Sequence, residues 1–584
     1  MAWYDEAVFY HIYPLGLCGA PKENSYGKPE PRLRKLFPWI AHIKEIGCNA
    51  IYIGPLFESV GHGYETTDYK KLDSRLGTNE DLKEFVERCH AQGIRVIFDG
   101  VFNHTGRDFF AFQDIKKNRE SSRYRDWYCN VNFWGNNEYN DGFSYDNWGG
   151  YNLLVKLNQK NPEVVDYICD VIRFWVREFD VDGIRLDAAD VLDFDFMKAL
   201  RKVANQVKPE FWLMGEVIHG DYNRWVNEGT LHSVTNYHLH KALYSGHNDH
   251  NYFEIAHTVR RLYGMGGNRP DGLRLYNFVD NHDVERIYTK LQNKAHFAPV
   301  HVLLYTLPGI PSIYYGSEFG IEGKKERWSD DSLRPALNLE DFAGALQENP
   351  CTALISALGH ARQKLKALAF GDYQELLLTN RQYAFSRNLE GQAVLVTVNN
   401  DDADARFQLP AGDAAVYTGV LTGERAVASD GQIAVSVDGN SGEIWVPLGA
   451  GELEKPRKQQ KILVGKAAHP SMGIAAAAAA DKAPEPKSKP VQAAEGKAAK
   501  PKGKPKQEAG SQPMATEGRA VQAAEKEPVT VPVHKSYEEM TVAELQTAVL
   551  EKMAENGPVT EEMKRTVDEN VWHDSLVNWV KSFR

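Results

Sequence analysis

The chain has 584 residues, more than one ordinary domain holds, so roughly two to four domains are expected. Hydrophobic residues are 42% and charged residues 25%, the balance of a soluble globular protein. With 68 basic and 79 acidic residues the net charge is −11, which argues against nucleic acid as the main partner.

The opening Met1-Ala-Trp-Tyr-Asp-Glu has neither a basic region nor an apolar core, so no signal peptide is expected. No apolar run reaches membrane-spanning length, so no membrane partner is expected either. The six cysteines, at 18, 48, 89, 129, 169 and 351, stand singly and without metal-type spacing, and read as buried thiols. These features predict a cytoplasmic protein.

In chain order, Val8-Phe-Tyr-His-Ile-Tyr-Pro14 reads as a strand entered almost at residue 1. Leu33 to Ile46 has helical spacing, and Ala50-Ile-Tyr-Ile-Gly-Pro55 reads as a second strand. Asn79 to Gly93 reads as a helix with Asn79 as its N-cap, Leu82, Phe85, Val86 and Cys89 on one face, and Gly93 as its stop. Arg95-Val-Ile-Phe-Asp99-Gly-Val-Phe-Asn103-His104 is an apolar run that ends in polar groups. Thr105 to about Lys160 is long, polar and rich in Asn, Asp, Gly and aromatics, and a loop this long inside a compact domain usually carries function. Pro162 to Phe179 is amphipathic.

Gly183-Ile-Arg-Leu-Asp-Ala-Ala-Asp190 follows as a short buried strand with a carboxylate at its end. Side chains alternate along a strand, so Arg185 and Asp187 share a face, and the guanidinium is expected to keep Asp187 ionised. Phe211-Trp-Leu-Met-Gly-Glu216 and Leu275-Tyr-Asn-Phe-Val-Asp280-Asn-His282-Asp283 repeat the design of an apolar run closed by carboxylate or imidazole. Ser233 to Tyr237 reads as a further strand and His296 to Thr306 as a helix. Polar groups at the ends of several parallel strands are how a (β/α)8 barrel builds an active site, so an α/β TIM barrel is predicted.

These stretches, in this order, resemble the conserved regions of the α-amylase family, glycoside hydrolase family 13, from about Val8 to about Leu448. The closest motifs are of the neopullulanase, cyclomaltodextrinase and maltodextrin glucosidase type, whose extra N-terminal domain is not expected here. The resemblance implies that Asp187 is the nucleophile, Glu216 the acid/base and Asp283 the stabiliser of the distorted sugar. It implies that Tyr64, His104, Arg185 and His282 bind substrate and that Asp99 and Asn103 give structural support. It also makes Gly309 to Glu318 the eighth strand and its loop, and 105–160 an inserted domain B walling the cleft. Leu154-Val-Lys-Leu-Asn158 matches the subgroup's fifth region only in its Lys-Leu-Asn part. Asp190 and Val191 stand where secreted α-amylases have Lys-His, which argues against the usual calcium site. No cofactor is expected to be required. Calcium, bound at the position of Asn103 in some members, is the open alternative, and no metal ligands are assigned.

The catalytic barrel is thus expected over 1–365. Short alternating segments such as Ala393-Val-Leu-Val-Thr-Val-Asn399 predict an all-β sandwich over 366–450. Residues 451–535 are low in complexity, with six alanines at 475–480, and predict a disordered linker. Residues 536–584 predict a small helical module, opened by a capping box at Thr541-Val-Ala-Glu544, that could dock an unknown partner. The activity the resemblance implies is retaining hydrolysis of α-1,4-glucosidic bonds in maltooligosaccharides, with cyclodextrins as further substrates. A 4-α-glucanotransferase on the same scaffold, or a non-catalytic glucan-binding scaffold, are the alternatives.

Overall fold

Eight short apolar segments form the centre: β1 (Phe9–Ile12), β2 (Ala50–Ile53), β3 (Arg95–Gly100), β4 (Gly183–Leu186), β5 (Trp212–Gly215), β6 (Ser233–Val234), β7 (Tyr276–Asn277) and β8 (Ile310–Tyr314). In the computed structural model, which describes residues 2–265, 273–327, 329–390, 392–448 and 540–556 together with Lys564, Val567 and Val580, all of them but Arg95 are buried along their whole length. Strands buried on both faces suit a parallel sheet covered by helices. The order is β6-β5-β4-β3-β2-β1-β8-β7, and every pairing is parallel. A parallel bridge from Thr235 to Tyr276 joins the two edges and closes the barrel.

The strand period of two separates two cores. Phe9, Ala50, Tyr52, Ile97, Trp212, Met214, Tyr276 and Ile310 pack inside the barrel, with the Phe9 and Trp212 rings stacked at 5.1 Å. Their sequence neighbours Tyr10, Ile51, Phe98, Ile184 and Leu213 face the helices. Two residues beyond the inner apolar layer, on the same face, come Asp99 after Ile97 and Glu216 after Met214. Asp187 follows Arg185 by the same step, so the barrel interior changes from apolar to charged within one repeat.

The covering helices are α1 (Phe37–Glu45), α2 (Asn79–Ala91), α3 (Pro162–Phe179), α4 (Phe194–Val207), α5 (Tyr237–Asn248), α6 (Tyr252–Met265), α7 (Phe297–Thr306) and α8 (Pro350–Lys364). In α3, Val164, Ile168, Val171, Ile172, Trp175 and Phe179 are buried at helical spacing, and Trp175 stacks on Phe57 at 4.5 Å. Asn161 caps the start by accepting from the Glu163 amide at 2.9 Å, and Pro162 takes the first turn, where a missing N–H costs nothing. All ten residues of α7 are buried, because this helix lies between the barrel and the C-terminal sheet.

Two local expectations are corrected. The single helix read over 33–46 splits into a 3-10 turn, Arg32–Leu36, and α1, since Pro38 cannot donate and fixes the start of a new helix. The cap of α2 is Thr78, whose backbone amide donates to Asp81 at 2.9 Å. The Asn79 side chain instead bridges the Lys70 carbonyl and the Leu72 amide, at 2.9 and 2.8 Å.

The segment between β3 and α3 forms a lobe with a helix, Phe110–Asn118, and a hairpin of Asn147–Trp148 with Tyr151–Lys156. Beyond α8, β9 (Asp372–Leu378), β10 (Gln382–Leu389), β11 (Gln392–Asn399), β12 (Ala405–Pro410), β13 (Val416–Gly419), β14 (Arg425–Val427), β15 (Gln432–Val437) and β16 (Ser441–Pro447) are antiparallel. They make one layer in the order β9-β10-β11-β16-β13-β14 and a second layer of β12 with β15. Leu395, Phe407, Leu409, Ile433, Val435 and Trp445 fill the space between.

The C-terminal unit contains α9 (Val542–Asn556). Thr541 and Glu544 form the expected reciprocal cap, Thr541 N to Glu544 Oε2 at 2.6 Å and Glu544 N to Thr541 Oγ1 at 3.3 Å. Leu545 and Val549 are buried with Val567 and Val580. The linker at 451–535 and most of the helical module after Asn556 lie outside the described residues. Among the described residues, no helix is long and apolar enough to cross a membrane.

Candidate active site

The parallel register sets Asp99 of β3 beside Arg185 of β4, and Arg185 beside Met214 of β5. Arg185 therefore points into the barrel mouth between three acidic side chains. Its Nη1 lies 2.9 Å from both Asp99 Oδ1 and Asp187 Oδ1, and its Nη2 lies 2.9 Å from Glu216 Oε2. Arg185 is only 3% exposed, so these interactions act with little screening by water.

Asp99 is the anchor of the group. Its Oδ2 accepts from the Tyr52 hydroxyl at 2.8 Å and the Tyr64 hydroxyl at 3.1 Å. The chain can approach it closely because position 54 is glycine: a Cβ there would lie 2.3 Å from the Asp99 Cβ. Glu216 Oε2 also accepts the Ala188 amide at 3.1 Å, while its Oε1 accepts the Tyr237 hydroxyl at 3.4 Å. Ala188 itself is left-handed, φ 46°, a conformation that a β-branched residue would strain.

One guanidinium cannot neutralise three carboxylates. Burial pushes the Asp187 carboxyl well up, aided by repulsion from Glu216 and Asp99, against the opposing pull of Arg185. Against that burial and the two carboxylates, Arg185 is the contact that favours the ionised form. Burial also raises Glu216, again against Arg185 and with repulsion from Asp283. The two groups titrate as a pair, so loss of the first proton makes the second harder to remove.

Asp283 is held differently. Arg334 Nη2 lies 2.8 Å from its Oδ1, His282 Nε2 lies 3.1 Å from its Oδ2, and Lys325 donates to its carbonyl at 2.7 Å. Burial opposes ionisation, but the contact with His282 and the charges of Arg334, Arg185 and Lys325 prevail and bring the carboxyl down to about 2. Burial brings His282 down to about 3, so at neutral pH its contact with Asp283 is a hydrogen bond from a neutral ring. The same ring lies near-parallel to both Tyr13 and Tyr64, each 5.8 Å away and within 15°, and its Nε2 also meets the Tyr64 hydroxyl.

His104 lies at the start of the lobe, buried, with the Tyr64 backbone beside it. Asn103 Nδ2 lies 3.2 Å from its Nδ1, and the ring also hydrogen-bonds the Tyr64 backbone. Asn103 thus orients His104. Among the described residues, no group of three or more His, Cys, Asp or Glu side chains is placed to hold a metal ion.

The structure brings Asp99, Tyr64, Arg185, Asp187, Glu216, His282 and Asp283 into one contact network, with Asn103 and His104 adjoining it. It adds residues that the sequence reading missed. Arg334 braces Asp283 and also donates from Nε to the His282 carbonyl at 2.9 Å. Tyr13, Tyr52 and Tyr237 had a signal only in their position near strand ends. Arg334 had none, since it comes from a loop far along the chain.

Arg75 is a further missed residue. Its Nη1 donates to the carbonyls of Pro21, Lys22 and Gly61 at 3.0, 2.9 and 2.6 Å. Its Nη2 and Nε reach Asp73 at 2.7 and 2.9 Å, and Nη2 also reaches Ser59 Oγ at 2.9 Å. A guanidinium here organises the oxygen atoms of the loop that carries Tyr64. Arg75→Met strands those buried acceptors and the Asp73 charge, so it is expected to cost about 3–5 kcal/mol of stability and to raise KM. Thermal unfolding and steady-state kinetics of the variant check this, and an unchanged melting temperature would refute it.

Comparison with known proteins places this geometry in context. The family model described as alpha amylase, catalytic domain, matches residues 34–348. A cyclomaltodextrinase of Thermoanaerobacter pseudethanolicus is 32% identical over 422 residues, 68% of this chain and 71% of that protein. Neopullulanase 2 of Thermoactinomyces vulgaris is 30% identical over 465 residues, 74% of this chain and 76% of that protein. A solved cyclomaltodextrinase structure superposes with a TM-score of 0.68 at 26% identity, covering 76% of this chain and 78% of the other.

Proposed function

From the premise that this chain belongs to the alpha-amylase family and is a glycosidase, we propose that it hydrolyses α-1,4-glucosidic bonds of maltooligosaccharides with retention of anomeric configuration. The observation that carries the reading is Arg185, which gathers Asp99, Asp187 and Glu216 at the ends of three adjacent strands while Asp283 is held ionised from the opposite side. Relatives named for cyclomaltodextrin and pullulan substrates support an α-glucan.

In this reading Asp187 attacks the anomeric carbon and forms a β-glycosyl-enzyme. Glu216 gives its proton to the leaving oxygen as that bond breaks, then takes one from the water that releases the sugar. A proton shared by the buried pair settles on Glu216 as Asp187 ionises against Arg185. Asp283, charged at neutral pH, attracts the oxocarbenium-like sugar. His104 and His282 offer hydrogen bonds to hydroxyls, and the Tyr64 ring offers a stacking face.

The reaction as read here requires no metal, so chelation is expected to leave kcat unchanged. A loss of activity in EDTA that calcium restores would overturn that point. All six cysteines are unpaired and five are buried, which suits a reducing cytoplasm and a substrate met after uptake.

The test is a time course on maltotriose, maltoheptaose, β-cyclodextrin, pullulan and isomaltose, with products resolved by length and anomer. Glucose and maltose released first as α-anomers, with cyclodextrin consumed, are expected. First-formed β-anomers would overturn retention, and cleavage of isomaltose alone would overturn the α-1,4 assignment. Products longer than the substrate would make the protein a glucanotransferase.

A further inference from the structure

The barrel has a second polar end. The catalytic carboxylates follow the C-terminal ends of the strands, where barrel enzymes place their chemistry. At the N-terminal ends lies a cavity of about 310 Å³, whose walls include Tyr4, Arg201, Trp212, Glu228, His232 and Arg274. Trp212 is the first residue of β5. Glu216 lies four residues on, at about 3.3 Å each, so roughly 13 Å of strand separates this cavity from the acid/base.

Three hydrogen-bond donors of the cavity wall are unspent. The Trp212 indole is fully buried and stacks on Phe9 at 5.1 Å and on Tyr4 at 5.8 Å, but its Nε1 meets no acceptor. Protein interiors rarely leave a buried N–H without a partner. His232, just before β6, accepts the Leu213 amide on Nδ1 at 3.0 Å. A backbone amide can only donate, so the ring proton sits on Nε2, which has no partner among the described residues. Burial, helped by the Arg201 charge, brings this ring down to about 3, so at neutral pH it is an uncharged donor.

Arg201, from α4, is the third. Its Nη1 donates to the Thr230 carbonyl at 2.9 Å and its Nε to Asn205 at 3.3 Å. It is half-buried, makes no ion pair among the described residues, and keeps Nη2 unspent. Burial draws its guanidinium down, against the pull of Tyr4 and Glu228.

The remaining charges leave this cation uncompensated. Arg274 pairs with Asp5 at 2.5 Å, and the second Asp5 oxygen accepts the Ala2 amide at 3.0 Å. Glu228 is exposed, so water screens its charge. One half-buried cation and two neutral donors match a group that only accepts and carries negative charge. A water molecule would bring two further donors to a set already rich in them. A phosphate group brings several acceptor oxygens, and a planar guanidinium suits it.

We propose that this cavity binds a phosphate group, free or as the ester of a small molecule, through Arg201, His232 and Trp212. The site lies at the end of the barrel opposite the catalytic carboxylates and does not depend on which glucan is cleaved. Isothermal titration calorimetry of the full-length protein at constant ionic strength, with inorganic phosphate and with glycerol phosphate, tests it. Saturable binding of at least one of them is expected. Tighter binding of the ester would assign the cavity to a phosphorylated metabolite, and equal or weaker binding to the free anion.

Arg201→Met is expected to weaken binding about tenfold or more, the loss of a charge-assisted contact. Trp212→Phe, which keeps a ring beside Phe9 and Tyr4 and removes the unpartnered N–H, is expected to weaken it about three- to tenfold. Glu228→Gln removes the one competing exposed carboxylate and is expected to tighten it about two- to fivefold. Failure of both ligands to bind overturns the site, as does binding that Arg201→Met and Trp212→Phe leave unchanged. Weaker binding in Glu228→Gln would overturn the anion assignment, and that variant changes only an exposed side chain.

Discussion

Asp187→Asn is expected to lower kcat on maltooligosaccharides by about 10⁴-fold or more, because no other group near the anomeric carbon can take the place of an ionised nucleophile. The fold is expected to survive. Arg185 keeps Asp99 and Glu216 as partners at 2.9 Å, so the substitution strands no buried cation. Stability is expected to hold or rise at neutral pH. Burial lifts the folded-state Asp187 carboxyl above its unfolded value. Such a group favours the folded state in its protonated form, and that advantage is lost as pH rises from the ordinary carboxylate range through the raised one. At neutral pH the ionised, buried form is a cost, which the neutral amide removes.

The role of Asp187 can be separated from mere necessity by chemical rescue. In Asp187→Ala, azide entering from the vacated side should restore turnover of an aryl α-glucoside and give the β-glucosyl azide. In a Glu216 variant, azide should attack the covalent intermediate instead and give the α-glucosyl azide. If both variants gave the same anomer, the assignment of nucleophile and acid/base would fail.

Glu216→Gln should lower kcat on maltotriose by about 10³-fold, within the range of general acid catalysis. In kcat/KM, which reports formation of the glycosyl-enzyme alone, the loss should shrink to about tenfold or less on a substrate with an aryl leaving group, which needs little protonation; kcat should stay low because release by water still lacks its base. The pH profile tests the same assignment. Glu216 acts protonated, and burial raises its carboxyl, so wild-type activity should fall as pH rises through that raised value. Asp187 acts ionised, so activity should fall again toward acid, and the two limbs report the pair rather than either residue. In Glu216→Gln the alkaline limb should vanish while the acid limb stays. An alkaline limb that persists in this variant would assign the acid to another group.

The barrel and the core of the candidate site were legible in the sequence for one physical reason: both depend on short-range periodicity. A buried parallel strand is an uninterrupted apolar run, and a functional residue at its end is the next polar residue on the same face. Asp99, Asp187, Glu216 and the 280–283 segment all follow that pattern. The all-β region after α8 was legible for the same reason, through alternation over short segments. The cap of α9 was legible because both partners lie within one helical turn.

Tertiary structure decided what depends on partners distant in sequence. The end of α2 turned on which of two adjacent polar residues, Thr78 or Asn79, had a competing partner, and Asn79 was taken by Lys70 and Leu72. Arg334 reaches Asp283 across 51 positions, and Arg75 gathers carbonyls from two loops, so neither carries a local motif. The electrostatic setting of Asp187 is the clearest case. The Arg-x-Asp spacing specified an attractive pair, but its electrostatic outcome depends on burial and on two further carboxylates brought to the same guanidinium by neighbouring strands. Sequence spacing determined which charges meet; the number of them that meet, and how little water reaches them, is a property of the folded barrel alone.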